Sequence, residues 1–469
     1  MQVKFPYSFD RKDTTISILD RFSTLEPASH TGTNVSVAGR VMLMRPQGKL
    51  AFARLVDSTG SIQLFATQDD SELFSEFSKL SIGDWIGASG EVITTRKGEL
   101  SVRVQEWVLL AKTKRGFGDK WKGISDVDLK YRQRYVDLWA NPESRSILQT
   151  RSKTIAFIRR YLDELDFVEV ETPVLHPIAG GASAKPFVTR HNALDIELYL
   201  RIAPELYLKR LVVGGFEKVY EIARVFRNEG MSPRHNPEFT MLELYQAYSD
   251  YEDGIELIED LISSLARELI GTTQISYQGR SLDLEPPWER KSMCELISKS
   301  LGEPIDLDVE YSHLLSLCKD KAIEVKDEWG PGKLILELYE KICESELWGP
   351  IIVTDFPQEV SPLARSHRSK VGFTERFELI IAGRELVNAF SELCDPVDQR
   401  DRFQAQAQLK ETGDEEAMAV DEDYLRALEY GLPPTMGLGM GIDRLVMLIA
   451  DVASIRQVIA FPTLRPEAI

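Results

Sequence analysis

One central stretch of the sequence alternates charged and aromatic side chains in a pattern that could bind a charged small molecule. It reads EKVYEIARVFRNEGMSPRHNPEFTMLELYQAY and spans residues 217–248. Two runs with a period of two flank a polar loop over residues 230–238, which predicts a long antiparallel hairpin. Counting by twos places these side chains on one face of each strand: Arg227 and Glu229 on the first, and Phe239, Met241, Glu243 and Tyr245 on the second. Because buried unpaired charge is costly, this face predicts a charged occupant; the alternative is a solvated face with cross-strand ion pairs.

A second stretch, RFELIIAGRELVNAFSEL, carries acidic residues on two further predicted strands. Glu378 and Glu385 come from adjacent strands, and carboxylates brought together in this way repel each other unless a cation separates them. Hard oxygen ligands with open coordination positions suit Mg²⁺ bound jointly with phosphates. Three residues of one parity share a face of the second strand: Asn388, Phe390 and Glu392. Glu385 has the opposite parity, so a site shared with Asn388 requires a β-bulge or a strand end.

A third stretch, GLGMGIDRLVML, spaces glycines closely and then enters a predicted helix with Arg444 in its first turn. Free N–H groups at a helix start, together with glycines that allow close approach, favour a nucleotide. The spacing is GxGxG rather than GxGxxG, and no clear strand is predicted before it, so a Rossmann dinucleotide site is not indicated. The sequence also contains no GxxxxGK[ST] phosphate loop.

The elements that must position these residues fall into two predicted domains. From Val35 to Lys112, short β-rich runs separated by turn residues predict five strands in a small barrel. This resembles an OB-fold, a barrel that commonly binds single-stranded nucleic acid. A helical pattern begins at Pro142, and the following mixture of strands and helices predicts an α+β fold. We expect the barrel domain over residues 1–112, a basic linker over residues 113–141, and the second domain over residues 142–469 with a mostly helical insertion around residues 250–350.

Composition excludes several classes of protein. Hydrophobic residues make up 43% and charged residues 28%, as in an ordinary globular chain rather than a disordered one. The four cysteines form no CxxC pair, so neither a zinc site nor a disulfide framework is suggested. Neither a secretory signal nor a membrane-spanning segment is evident, and we expect a cytoplasmic protein. The net charge of −18 argues against nucleic acid, but residues 111–134 carry eight basic and three acidic residues, which could hold a polyanion or form a solvated linker.

These motifs together resemble a known family. FRNEG, RHNPEFTMLELY and GLGMGIDR are similar to motifs of the class II aminoacyl-tRNA synthetases. Their sequences most resemble those of the lysyl-tRNA synthetases. The resemblance extends through FPYSFDRKDT, YRQRYVDL, GGASAKPF, APELYLKRL, SPLARSH and RELVNAFSEL, and thus over nearly the whole chain. It implies an antiparallel catalytic sheet flanked by helices, an N-terminal anticodon-binding OB barrel and a homodimer. Pro173 matches the dimer-interface motif of the family, and class I signatures are absent.

The resemblance implies a reaction and a role for each site residue. L-lysine and ATP would form lysyl-adenylate, and the lysyl group would pass to the 3′ end of lysine tRNA. Arg227 and Arg444 are the implied catalytic residues, with Arg227 bridging the substrate carboxylate and the α-phosphate. Glu205 is implied for the α-amino group, and Glu243 and Glu392 for the ε-ammonium group. The full implied lysine site is Gly180, Glu205, Arg227, Glu243, Tyr245, Asn388, Phe390 and Glu392. The implied ATP site is Arg227, Glu229, His235, Phe239, Glu385 and Arg444, with Mg²⁺ on Glu378 and Glu385. In the barrel, the residues implied to read the anticodon are Phe52, Gln63 and Glu106.

Two alternatives remain at this point. A class II synthetase for aspartate or asparagine would share the barrel and the Mg²⁺ acids, but it needs a cation facing the substrate side chain. A modifier that attaches lysine to a protein would lack the barrel, whereas a paralogue retained only for regulatory binding should have lost Arg227 or Arg444. One departure from the family is Cys394, which stands where the family usually has asparagine.

Overall fold

The computed structural model describes residues 5–115, 124, 126–411, 413 and 416–467. The chain forms two compact units, Met1–Ser125 and Asp126–Ile469. Within the described residues, no helix combines the length and apolar character that a bilayer crossing requires.

The first unit is a closed five-stranded barrel. Its elements are α1 (Thr15–Phe22), β1 (His30–Gln47), β2 (Leu50–Val56), β3 (Ser61–Thr67), α2 (Ser71–Phe77), β4 (Trp85–Thr94) and β5 (Leu100–Ala111). The strand order is β1-β2-β3-β5-β4, and β3 and β5 pair in parallel while the other pairs are antiparallel. Alternate residues such as Leu55, Leu64 and Val102 are fully buried inside the barrel. The structure therefore confirms the predicted small barrel.

The predicted linker, residues 113–141, differs from the expectation in its second half. Residues 116–123 and 125 lie outside the described part of the chain. The following residues form two short helices, α3 (Val127–Arg132) and α4 (Arg134–Ala140). Arg134 and Asp137 form a buried ion pair of 2.7 Å, and Arg134 Nη2 donates to Gln457 O at 2.8 Å. The basic charge in this half is thus partly used inside the second unit.

The second unit is a mixed α and β structure. Its other helices are α5 (Pro142–Glu164), α6 (Glu205–Val213), α7 (Tyr251–Leu269), α8 (Met293–Leu301), α9 (Tyr311–Asp320), α10 (Pro331–Ile342), α11 (Pro396–Glu411), α12 (Glu422–Glu429), α13 (Ile442–Ile449) and α14 (Ile455–Val458). Its strands are β6 (Val168–Glu169), β7 (Leu175–His176), β8 (Phe187–His191), β9 (Ile196–Leu200), β10 (Lys218–Phe226), β11 (Glu238–Ala247), β12 (Gln274–Tyr277), β13 (Arg280–Asp283), β14 (Glu289–Ser292), β15 (Ile351–Pro357), β16 (Phe373–Ile380), β17 (Glu385–Ser391) and β18 (Thr435–Gly441).

An eight-stranded sheet organises this unit. The order is β14-β15-β16-β17-β18-β11-β10-β6, antiparallel except for a parallel pair at each end. Strands β7, β9 and β8 form a separate small sheet, and β12 pairs with β13. Together with the barrel, this arrangement confirms the predicted α+β fold.

Helices cover one face of the large sheet, whereas α6 and α12 cover only part of the other face, beside β10 and β11, and the rest of that face is open for a site. Ile258 and Ile262 of α7 pack with Leu242 and Leu244 of β11 in the main core. Because side chains alternate along a strand, Glu243 and Tyr245 must point the other way. Helix α7 was expected in an insertion apart from the core, and the structure differs because its amphipathic face packs on the central strands. Helices α8 to α10 form a separate cluster that packs against β15 and β16.

Candidate active site

A cavity of about 440 Å³ lies over the open face of the large sheet. It is lined by most of the residues that the sequence analysis selected: Glu205, Arg227, Glu229, His235, Phe239, Glu243, Tyr245, Glu378, Glu385, Asn388, Phe390 and Arg444. Gly180 does not line it, but its neighbour Gly181 does. Glu392 lies directly behind the lining and has no exposed surface. The structure therefore brings the three separate sequence stretches to one place.

Strand β11 supplies one wall of the cavity. Phe239, Met241, Glu243 and Tyr245 all line it, as the period of two predicts. The prediction for the preceding strand was wrong in detail, because β10 ends at Phe226, and Arg227 and Glu229 lie in the connecting loop. Arg227 N donates to Pro237 O at 2.8 Å, so one hydrogen bond extends the ladder past the strand end. Both side chains still reach the cavity.

Strand β18 forms the floor and consists of the last glycine stretch itself, which the sequence analysis did not predict as a strand. Its GxGxG spacing has a period of two, so Gly437, Gly439 and Gly441 all line the cavity. Gly439 pairs with Glu243 on one side and with Asn388 on the other, while Gly437 pairs with Tyr245 and Phe390. A Cβ atom on Gly437 would lie 1.9 Å from Glu392 Oε1 and 2.6 Å from Tyr245 Cε1. The glycines therefore leave space for a ligand and for the acid behind it.

A β-bulge resolves the parity problem of Glu385. Leu379 pairs with Val387, but Ile380 pairs with Glu385, so Leu386 is the extra residue. The bulge, which falls at the first residues of β17, turns Glu385 into the cavity that Asn388 also lines. The sequence could state that a bulge was needed but could not locate it.

Two arginines mark one end of the cavity. The Arg227 guanidinium lies 5.2 Å from the centroid of the Phe239 ring, and its buried Nε has no hydrogen-bond partner. Arg444, in the first turn of α13, pairs with the Glu385 carboxylate at 3.1 Å. Burial, with Arg444 as the next cause, lowers the pKa of His235 below its usual value. This end therefore offers positive charge and an aromatic face to an anion that carries a flat ring.

The acids beside this end are held by a residue that the sequence analysis missed. Arg376 of β16 donates to Glu378 Oε1 at 2.7 Å and to Asn388 Oδ1 at 2.9 Å. Burial still raises the pKa of Glu378 to about 8, with nearby Glu385 and Glu344 adding to the effect and Arg376 opposing it. Arg376 sits two positions before Glu378 in the sequence, and this i, i+2 pairing on one strand face was the available signal.

These acids fit a metal only if a ligand completes its coordination. No group of three or more His, Cys, Asp or Glu side chains able to hold a metal occurs among the described residues. Two carboxylates from Glu378 and Glu385 nevertheless provide the hard oxygen donors that Mg²⁺ prefers when phosphates supply the rest. Burial raises the pKa of Glu378 despite its ion pair with Arg376, and an added cation would favour the ionised carboxylate.

The opposite end of the cavity is acidic and deeply buried. Glu205, Glu243 and Glu392 are at most 7% exposed. Burial raises the pKa of Glu243 well above its usual value, with Glu205 as the second cause. Glu243 forms no ion pair with any described residue, and its polar contact is Tyr245 Oη, which donates to Oε2 at 3.4 Å. A positively charged ligand would stabilise the ionised carboxylates at this end.

Lys209 is the second residue that the sequence analysis missed. It lies one helical turn after Glu205 on α6, is completely buried, and donates to Glu205 Oε1 at 2.5 Å. Its ammonium group also forms an ion pair with Glu392. The i, i+4 spacing in APELYLKRL was a signal for the contact with Glu205. The local sequence gives no signal for the contact with Glu392, which lies far away in the chain.

Cys394 supports the backbone beside these acids. Its thiol donates to Glu392 O at 3.3 Å and to Pro433 O at 3.4 Å. Burial raises the pKa of this thiol, so it remains a neutral donor. The thiol therefore contacts the backbone oxygen of Glu392 and not its carboxylate.

The barrel carries the second set of candidate residues on its outer face. Phe52 of β2 pairs with Phe65 of β3, and their ring centroids are 5.2 Å apart. Both side chains are half-buried, and neither belongs to the barrel core. Gln63 also points outward and donates to Ser101 Oγ at 2.8 Å. Glu106 is exposed on β5 opposite Ser89, at a β-bulge.

Comparison with known families gives the class of protein that this architecture represents. Residues 35–110 match a family described as an OB-fold nucleic acid binding domain. Residues 126–465 match the family described as tRNA synthetases class II (D, K and N), which covers the sheet and the whole cavity. The second unit is therefore a class II synthetase domain, and the cavity lies within it.

Individual relatives narrow this class. A lysine–tRNA ligase of Moorella thermoacetica is 50% identical over 466 residues, which cover 98% of this chain and 94% of that protein. A lysine–tRNA ligase of Synechococcus sp. (strain CC9311) is 52% identical over 475 residues, which cover 98% of this chain and 96% of that protein. One from Syntrophomonas wolfei is 50% identical over 99% of this chain and 94% of its own length. The chain therefore belongs to the lysine–tRNA ligases of class II.

Proposed function

We propose that this chain activates L-lysine with ATP and transfers the lysyl group to the 3′ end of lysine tRNA. The observation that supports this most directly is the polarity of one cavity, which is cationic and aromatic at one end and acidic at the other. Lysyl-adenylate has the matching polarity, with a phosphate and a purine at one end and two ammonium groups at the other.

Arg227 is the residue that joins the two ends. Its buried Nε lacks a partner in the free protein, so the guanidinium is available to bridge the lysine carboxylate and the α-phosphate. The lysine carboxylate is ionised at pH 7 and attacks the α-phosphorus in line, forming the mixed anhydride as pyrophosphate leaves. No protein base is needed for this step, because orientation and charge neutralisation supply the rate.

The nucleotide would occupy the arginine end. Phe239 would lie under the adenine with Arg444 stacked above it. Glu229 would serve the adenine end, and His235 would lie near the distal phosphates. Glu378 and Glu385 would hold Mg²⁺, which supplies charge neutralisation for the phosphates when bound. Arg444 forms an ion pair with Glu385, so a proposed nucleotide-binding residue contacts a proposed Mg²⁺ ligand.

The acidic end would select lysine by its two ammonium groups. Glu205 would receive the α-amino group, and Glu243 and Glu392 the ε-ammonium group, with Gly180, Asn388 and Phe390 shaping the space between. A shorter or neutral side chain would leave buried acids unpaired, which a binding site rejects strongly. An aspartate substrate would require a free cation here, and Lys209 is already shared between two acids.

The barrel would read the anticodon, and a second copy of the chain would complete the enzyme. Phe52 would stack on a base, and Gln63 and Glu106 would hydrogen-bond to it. We place the homodimer contact at the small sheet after Pro173, where Val174, Leu175 and Val188 are exposed apolar residues. The cytoplasm, where translation uses charged tRNA, is the proposed location.

The test is amino-acid-dependent exchange of pyrophosphate into ATP, measured for all twenty amino acids. We expect exchange with lysine alone, followed by lysylation of lysine tRNA on addition of that tRNA. Exchange with aspartate or asparagine instead would refute the assignment. Lysylation of a protein in place of tRNA would favour the modifier alternative, and sedimentation of the protein as a monomer at micromolar concentration would refute the proposed dimer.

A further inference from the structure

Lys209 is a completely buried cation inside the acidic end of the cavity. Its Nζ atom contacts Glu205 Oε1 at 2.5 Å and also pairs with Glu392. The same atom lies 5.4 Å from the centroid of the Phe390 ring and 5.9 Å from that of Tyr424. Two acids and two rings, from α6, α12 and the end of β17, therefore fix this ammonium group in one position.

Lys209 sets the net charge of the acidic end. When ionised, Glu205, Glu243 and Glu392 carry three negative charges, and Lys209 carries one positive charge, so two negative charges remain for a substrate to balance. A lysine substrate brings two ammonium groups to this end, while its carboxylate is directed to Arg227. With the substrate bound, the buried charges at the acidic end sum to zero, as a low-dielectric site requires.

Lys209 also connects acids that serve different substrate groups. Glu205 is proposed for the α-amino group and Glu392 for the ε-ammonium group, and the two come from distant parts of the sequence. A single ammonium group that binds both carboxylates fixes the distance between them, and this distance must match the length of the substrate chain.

We infer that Lys209 is a positioning residue for lysine specificity, which sets the charge of the acidic end and holds Glu205 and Glu392 at the spacing of the two substrate ammonium groups. This inference rests on the proposed function. A residue present only for stability would not need to join the two substrate-binding acids, because a buried ion pair replaced by well-packed apolar side chains often leaves stability unchanged or higher.

The test variant is Lys209→Met, which keeps the length of the side chain and removes its charge. We expect the KM for lysine to rise at least about tenfold in pyrophosphate exchange, because the two carboxylates then repel or bind a proton. The KM for ATP should change less than about twofold. The matched control is Arg134→Met, which breaks a buried ion pair in the same unit and touches none of the three acids. It should leave the ratio of the two KM values unchanged.

A second measurement separates positioning from stability. Several ionisable or charged groups surround the pair: Glu243 and Tyr245 on β11, Arg376 on β16, Cys394 after β17 and Tyr424 on α12. Without the Lys209 cation, the Glu205–Glu392 pair should hold one additional proton near pH 7, which lysine must displace. Calorimetric titration with lysine in buffers of different ionisation enthalpy should therefore show about one more proton released by Lys209→Met than by the wild type.

The outcomes distinguish this inference from the proposed function. If the wild type shows no lysine-dependent exchange, the proposed function fails. If the wild type is active and Lys209→Met raises the KM values of lysine and ATP equally, or releases no additional proton, Lys209 has no positioning role. Lys209→Gln should give the same additional proton release, and serves as the readout if Lys209→Met does not fold; an unchanged proton count in Lys209→Gln would likewise overturn the inference.

Discussion

Glu243 is the acid whose replacement tests the polarity of the cavity most directly. It is 4% exposed and forms no ion pair with a described residue, whereas Glu205 and Glu392 already share Lys209. Its charge is therefore the one left for the ε-ammonium group of the substrate. Removing one partner of a buried charge pair costs about 3–5 kcal/mol. Because Glu392 remains nearby, we expect the lower end for Glu243→Gln, about 3 kcal/mol or about a hundredfold increase in the KM for lysine.

The same substitution should stabilise the protein without substrate at neutral pH. Burial raises the pKa of Glu243 in the folded state above its unfolded value, so the folded state binds more protons between these two values. The carboxyl group therefore lowers stability progressively as the pH rises through that window. Glutamine has no such dependence, so Glu243→Gln should unfold at a higher temperature than the wild type at pH 7.5, and the difference should disappear below the usual glutamate pKa.

Pyrophosphate exchange and thermal unfolding together check this reasoning. The matched control is Glu259→Gln, because Glu259 is also buried but accepts a hydrogen bond from Trp288 N at 2.7 Å on the other side of the sheet. The control should leave the KM values of lysine and ATP within about twofold of the wild type. Equal increases in both KM values for Glu243→Gln, or a loss of stability at pH 7.5, would show that Glu243 supports the sheet and does not bind lysine.

Three further predictions concern the other parts of the molecule. Arg227→Lys should lower kcat/KM for exchange by about a hundredfold or more with unchanged folding, because an ammonium group cannot bridge two anions in the bidentate manner; activity within threefold of the wild type would contradict this. Because the pKa of Glu378 is about 8, its proton competes with a cation below that pH. The Mg²⁺ concentration for half-maximal exchange should therefore fall as the pH rises from 6.5 to 8, and a pH-independent requirement would show that Glu378 is not a ligand. Phe52→Ala should raise the KM for tRNA about tenfold in aminoacylation and leave exchange unchanged, since stacking on one base is worth about 1–3 kcal/mol; an unchanged KM would place the anticodon elsewhere.

The sequence predicted those features that depend on local periodicity. The alternation in β11 was sufficient to place Phe239, Glu243 and Tyr245 on one face, because a strand of ten residues keeps its period of two throughout. The barrel was predictable for the same reason. Helix α7 was misplaced because its pattern shows an apolar face but does not say which surface covers that face.

Features that depend on register or on distant contacts were not predictable. The β-bulge at Leu386 decides whether Glu385 reaches the cavity, and its position is set by pairing with β16 rather than by the local sequence. Strand β18 was missed because glycine is depleted in strands. Here, however, the glycines are required by the neighbouring strands, since any Cβ atom on Gly437 would collide with Glu392.

The acidic end shows why a binding site can contradict the rules that predict a core. A folding argument alone would reject three buried carboxylates around one ammonium group, because desolvation exceeds the attraction that one cation can supply. Under the proposed function, lysine brings two further positive charges to these carboxylates. Their attraction to the substrate offsets the cost of desolvating the carboxylates, and this gain contributes to the binding free energy of lysine. A chain selected for stability alone would place an apolar residue at Glu243, and the resulting pocket would accept norleucine nearly as well as lysine. Under the proposed function, the buried Glu243 carboxylate is thus the feature that separates this synthetase from an aspartate counterpart, whose substrate side chain carries the opposite charge.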